Sequence, residues 1–177
     1  MRLRRDEGRP LPKNGDAAKR PIRNTLSENI RAQSVELLNK HLAAAIELHA
    51  QLKQAHWNVR GPGFIAMHEP FDKVSVEVES YSEPDCERAG GLGGTAHGTI
   101  QVAAECPFPV PYPLGIADEQ QHVFAVSGTP AAFGQSVRGA IDQATSFGDA
   151  NTADLFTEIS RGIDQQLWFV ESHSAHK

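Results

Sequence analysis

The sequence predicts an all-α protein, a four-helix bundle with one long crossover between its second and third helices. Three observations carry that expectation. Apolar residues recur at three- and four-residue spacing over long stretches. Glycines close those stretches. A proline-dense segment, Cys106-Pro-Phe-Pro-Val-Pro-Tyr-Pro, separates the second stretch from the third and forbids regular helix there. No internal repeat or dinucleotide-type glycine pattern competes with this outline.

The elements follow in order. Residues 1–26 carry prolines at 10, 12 and 21 and little apolar content, so they read as a flexible tail ahead of a bundle spanning 27–173, with 174–177 a short C-terminal tail. Ser27 followed by Glu28 marks a helix start. From there Leu38, Leu42, Ala45, His49, Leu52 and His56 form one stripe, widened by Ile46 and Leu48, and the helix is expected to end near Asn58, before Gly61-Pro62-Gly63. A second helix is expected over 64–92, stopping at Gly93-Gly94, and residues 95–117 are expected to be loop. The third helix is expected over 118–147, ending at Gly148. The fourth covers 151–173, with Leu155, Ile159, Ile163, Leu167 and Val170 on one side. Pro70, Pro84 and Pro130 fall inside these helices, each removing a backbone hydrogen bond at a cost of about 3 kcal/mol, and so predict kinks or shortening.

Composition narrows the class. A chain of 177 residues with 40% apolar content can bury a real core as one domain. No apolar run approaches the ~20 residues that cross a bilayer, and no secretory leader is visible, which predicts a cytoplasmic protein without a membrane partner. Cys86 and Cys106 show no metal spacing and are expected to be free thiols. The net charge of −5 hides a division. Arg2, Arg4, Arg5, Arg9, Lys13, Lys19, Arg20 and Arg23 outnumber Asp6, Glu7 and Asp16 before residue 25, so a basic arm precedes an acidic body. Such an arm suits a polyanion, through phosphate contacts that are salt-dependent and blind to sequence, whereas the body suits cations.

One constellation points to metal chemistry. On a helix His68 and Asp72 are i,i+4 neighbours, and Glu83 and Glu87 repeat that relation. The eleven residues from Asp72 to Glu83 are close to three turns, which puts all four on one stripe but separates the pairs by roughly 16 Å. One ion cannot bridge that gap. An antiparallel second copy would bring Glu83 and Glu87 of one chain to His68 and Asp72 of the other, giving two equivalent sites per dimer. His56 on the preceding helix adds an imidazole. Two imidazoles and three carboxylates suit iron, zinc or manganese. A solvated acidic face explains the same i,i+4 acids without a metal. Asp149, Asp154 and Glu158 at the entry of the last helix form a second acidic group, read either as capping charge or as a cation funnel around a symmetry axis.

These residues resemble the Dps family, the mini-ferritins of the ferritin-like superfamily. Lys53 to Asp72 is similar to the family signature, including Trp57, Asn58, Arg60, Gly61 and Pro62. The segments 87–96 ("ERAGGLGGTA") and 149–173, with Trp168, look like further family motifs, so the likeness runs over about 28–173. It implies a ferritin-like bundle assembling into a dodecameric shell that oxidises Fe(II), preferably with hydrogen peroxide over oxygen, and stores ferric mineral. The intersubunit ferroxidase site would comprise His56, His68 and Asp72 with Glu83 and Glu87 of the two-fold mate, and zinc could substitute for iron. Trp57 would be a nearby electron donor or a packing residue at the dimer contact. Asp149, Asp154 and Glu158 would line iron-entry pores, and the basic arm would hold DNA, placing the protein in the cytoplasm on the nucleoid. The family usually has aspartate at position 83, and Pro70, Pro84 and Pro130 also depart from its pattern. Two other functions compete: an architectural DNA-binding shell with a weak ferroxidase site, and, as a minor reading, a metal-dependent hydrolase using the same centre.

Overall fold

The computed structural model describes residues 22–105 and 110–174. Six helices follow: α1 Glu28–Asn58, α2 Phe64–Ser80, α3 Ser82–Gly91, α4 Ile100–Ala104, α5 Glu119–Phe147 and α6 Ala150–Glu171. The backbone of the bundle is α1, the α2–α3 pair, α5 and α6: α1 packs on α2, α3 and α5, while α5 lies along α6. The chain between α3 and α5 is the long crossover, and among the described residues the only β feature is an isolated bridge between Arg60 and Asp118.

Each helix begins where its local chemistry allows. Ser27 Oγ accepts from the Ile30 amide at the start of α1, and Asp118 does the same for Gln120 and Gln121 at α5. Gly148, at φ 85°, ends α5 in the left-handed conformation that a side chain resists, and Asp149 caps α6 one residue later. The buried faces of α1 (Leu37, Leu38, Leu48, Leu52), α2 (Phe71, Val74, Val78), α5 (Phe133, Val137) and α6 (Phe156, Ile159, Ile163) form one core. His41 is a polar member of it. Its Nδ1 donates to the Leu37 carbonyl, its Nε2 meets Ser136 Oγ, and burial lowers its pKa so that it packs as a neutral ring against Phe156.

Three expectations need correction. The single second helix is two, broken at Tyr81. Pro84 supplies the reason: it has no N–H for the Ser80 carbonyl and its ring would crowd that oxygen, so α2 stops at Ser80 and Pro84 falls in the first turn of α3, where an amide hydrogen is not needed. Pro70 and Pro130, by contrast, do not shorten their helices; α2 and α5 run through them. The crossover is not all loop either, because Thr99 accepts from the Val102 amide and starts the one-turn helix α4. Asn39 holds the crossover to α1, donating to the Thr95 carbonyl and accepting from the His97 amide.

Candidate metal centre

The turn between α1 and α2 builds the site. Gly61 has φ 146°, and a Cβ there would collide with the Glu119 side chain. Gly63 has no side chain to cap α2, and Glu119 Oε1 accepts its amide at 2.5 Å instead. A carboxylate from the first residue of α5 thus fixes the Gly-Pro-Gly turn, and the Arg60 amide donates to the Ala117 carbonyl beside it. The turn reverses the chain so that the last turn of α1 faces the first turns of α2.

His56 and His68 meet across this reversal. His56 Nδ1 donates to the His68 carbonyl and His68 Nδ1 donates to the His56 carbonyl, each at 2.8 Å. The rings stack with centroids 3.7 Å apart and planes 22° apart, and Phe64 lies 4.7 Å from the His68 ring. A carbonyl oxygen can only accept, so each Nδ1 carries a proton, and in the neutral ring the lone pair is on Nε2. This is the tautomer a metal-binding histidine needs, fixed by a backbone partner on the other nitrogen.

Asp72 lies one turn beyond His68 and shares an open groove of about 570 Å³ with His56, His68, Glu69, Lys73, Val76 and Glu77. Lys53 Nζ donates to Asp72 Oδ1 at 2.5 Å and lies 5.8 Å from the centroid of the Trp57 ring. That bond, together with the charge of Lys53, holds the Asp72 carboxyl below the usual carboxylate range, so it is anionic at neutral pH. Trp57 is 65% exposed beside the groove. Glu83 and Glu87 project from α3, exposed and away from the groove of their own chain. Among the described residues no three His, Cys, Asp or Glu side chains of one chain converge into a complete metal cluster.

At the other end of the bundle, Asp149 differs from its expected neighbours. It is 1% exposed and fully partnered: Oδ1 accepts from Arg88 Nη2 at 2.6 Å and from the Thr152 amide, and Oδ2 accepts from Thr152 Oγ1. Burial alone would raise its pKa, but the hydrogen bonds from Thr152 and the Arg88 charge outweigh it and lower the value. Asp154 and Glu158 are exposed on α6. Of the basic arm only Arg23 is described, and it is exposed; Arg2, Arg4, Arg5, Arg9, Lys13, Lys19 and Arg20 lie outside the described residues, as does Cys106, while Cys86 is a free thiol. No helix among the described residues is long and apolar enough to cross a membrane.

Sequence reasoning passed over Lys53 as the partner of Asp72, Glu119 as the clamp on the turn and Asp85, whose carboxyl is buried. Lys53 sits at i−3 from His56, a spacing that puts it on the same side of α1. Nothing local marks the other two.

Comparison with known proteins agrees with this architecture. A family model described as "Ferritin-like domain" matches residues 35–176. The "DNA protection during starvation protein" of Agrobacterium fabrum is 37% identical over 155 residues, covering 88% of this chain and 96% of that protein. Among solved structures, DpsC from Streptomyces coelicolor superposes with a TM-score of 0.83 at 29% identity, covering 96% of this chain and 98% of that one. Dps from Microbacterium arborescens, in its high iron form, gives 0.77 at 31% identity over 83% of this chain and 95% of that one. The chain belongs to the ferritin-like proteins and, within them, to the Dps family.

Proposed function

We propose that this chain is the subunit of an iron-storing, DNA-protecting mini-ferritin that oxidises Fe(II), with hydrogen peroxide as preferred oxidant, at a site shared by two copies. The observation that carries the reading is the His56–His68 pair, whose reciprocal Nδ1–H bonds leave two Nε2 lone pairs beside the anionic Asp72 in an open groove. Those three donors are too few to hold iron through both oxidation states. Glu83 and Glu87 of an antiparallel second copy would complete a mixed nitrogen and oxygen set that accepts Fe(II) and Fe(III), and zinc as a competitor. The rim of the groove supports a mate there: Trp57 and Val76 are large apolar side chains left exposed in the single chain.

In this reading Fe(II) is the substrate. Two Fe(II) each give one electron, and one peroxide takes both and becomes two waters, so neither reagent is left to generate hydroxyl radical. Lys53 keeps Asp72 ionised, the Gly-Pro-Gly turn holds the imidazoles together, and Trp57 would pack at the dimer contact beside them. Bundles over 27–173 would close into a dodecameric shell that retains the ferric product. Cations would enter past Asp154 and Glu158, with Asp149 neutralised by Arg88 and supplying structure rather than charge. The basic arm would bind DNA phosphates without sequence preference, many arms per shell adding avidity, which places the protein on the nucleoid in the cytoplasm.

The test is anaerobic Fe(II) loading followed by stoichiometric peroxide, with ferric absorbance followed on size exclusion. The wild-type protein should oxidise the iron rapidly and carry it with the shell. A His68→Ala/Asp72→Ala variant should assemble but oxidise no faster than free Fe(II), and unchanged oxidation would overturn the site. Removal of residues 1–21 should spare iron oxidation and abolish DNA retention; loss of iron chemistry on that deletion would favour the architectural reading instead.

A further inference from the structure

A second pair of groups, outside the groove, is arranged for proton and electron transfer. Tyr112 in the crossover and His122 in the first turn of α5 are joined by a 2.5 Å hydrogen bond between the phenol oxygen and Nδ1. His122 is completely buried, and desolvation lowers its pKa against the opposing pull of the Ile116 and Asn58 carbonyls and the Asp118 charge, so the ring is neutral. Burial raises the pKa of the Tyr112 phenol, which is therefore protonated and is the donor. Nδ1 accepts, and the single imidazole proton sits on Nε2, sealed from solvent and without a hydrogen-bond partner of good geometry among the described residues, although the Asn58 and Ile116 carbonyls lie near the ring.

Oxidising a phenol that cannot shed its proton produces a strongly acidic cation and is unfavourable. A neutral imidazole already bonded to the hydroxyl removes that obstacle, and the nearby Ile116 and Asn58 carbonyls and the Asp118 charge favour the imidazolium that results. Tyr112 has this partner. Tyr81, the second of the two tyrosines in the chain, has no imidazole on its hydroxyl among the described residues. The pair also has a route to the groove. Asn58 is the last residue of α1, next to Trp57 and two residues from His56. At ~1.5 Å rise per residue and ~3 Å per hydrogen-bonded contact, the phenol lies on the order of 10–15 Å from the His56 ring.

We infer that Tyr112 and His122 form a redox-active pair that supplies an electron to the iron site when fewer than two Fe(II) are bound. The inference rests on the ferroxidase reading above. Peroxide needs two electrons to become two waters. With a single Fe(II) present, that ion gives one and becomes Fe(III). The other comes from Tyr112, whose O–H bond breaks as its proton passes to His122 Nδ1, leaving a neutral tyrosyl radical beside an imidazolium. Two protons from solvent complete the two waters. The pair thereby prevents the one-electron reduction of peroxide that would release hydroxyl radical, and a later reductant, such as a second Fe(II), restores the phenol.

The experiment uses the assembled full-length protein, loaded anaerobically with one Fe(II) per dinuclear site and mixed with one equivalent of peroxide. Samples are frozen for electron paramagnetic resonance while Fe(III) is quantified in parallel. The wild-type protein should show an organic radical whose signal narrows when the tyrosines are ring-deuterated. That signal should vanish in Tyr112→Phe and persist in Tyr81→Phe, with Fe(III) formed in all three. Iron oxidised without a tyrosyl radical, or a radical undiminished in Tyr112→Phe, would overturn the inference and leave the ferroxidase reading intact. Iron left unoxidised in the wild-type sample would overturn both.

Discussion

Asp85 offers a quantitative test of how this core is held together. It is 1% exposed on the inner side of α3, and neither carboxylate oxygen has a hydrogen-bond partner among the described residues. Desolvation pushes its pKa from 3.8 to about 8. The folded protein therefore holds a proton on Asp85 at neutral pH that the unfolded chain releases. Stability from this group is fully present below about pH 4 and is lost as pH rises towards 8, levelling off above that. At ~1.4 kcal/mol per pH unit over about three units, the cost at pH 7 is about 4 kcal/mol. Asp85→Leu, which fills similar space and has nothing to titrate, should gain roughly that amount at pH 7 and progressively less towards pH 4. Asp85→Asn should share the flat pH dependence while gaining less, because its amide still lacks partners. The assay is denaturant unfolding of chelator-treated protein from pH 4 to 8, wild type against variant. A stability difference that does not change with pH across this window would refute the buried, protonated carboxyl.

Three other perturbations probe separate parts of the structure. Asp149→Ala removes the α6 cap and leaves Arg88 half-buried without its partner, and should cost about 3–5 kcal/mol in unfolding experiments at pH 7. Because the Asp149 pKa is depressed when folded, that difference should shrink as the wild-type protein is acidified below the usual carboxylate range. Glu119→Ala releases the Gly-Pro-Gly turn and should weaken Co(II) binding at the His56–His68 pair by about tenfold, read from the metal's visible absorption, with Glu119→Gln retaining most of it. Pro130→Leu restores a helical N–H in the buried face of α5 and should raise stability by up to ~3 kcal/mol, measured by thermal melting.

What could be read from the sequence was whatever has a local cause. The apolar stripe of α1 and its end at Asn58 follow from periodicity and a glycine turn, and both are where they were expected. The split of α2 from α3 was signalled by Pro84, but which carbonyl gives way depends on Pro84 falling in the first turn of a new helix, and that is decided by packing. The twelve-residue spacing from His56 to His68 hinted at their meeting, since one helix end, a short turn and one helix start bring such residues level. Their reciprocal hydrogen bonds to backbone carbonyls needed coordinates. Glu119 is 56 residues from the glycine whose amide it holds, and no pattern along the chain links them. Asp149 was legible in part: its place at the helix entry suggested the cap it provides, but nothing nearby in the chain showed that an arginine 61 residues away makes it a buried anchor. The bundle declares itself through short-range periodicity, whereas the polar contacts that shape the site are long-range.

The central claim is that iron chemistry needs His56, His68 and Asp72 from one copy and Glu83 and Glu87 from another. Mixed shells test it most directly. Chains carrying His68→Ala/Asp72→Ala and chains carrying Glu83→Ala/Glu87→Ala should each form shells that fail to oxidise Fe(II) with peroxide. Co-assembled from equal amounts, half the dimers pair one of each kind, and by two-fold symmetry one of their two sites is whole, so about a quarter of wild-type activity should return. Mixed shells as inactive as either parent would contradict the account.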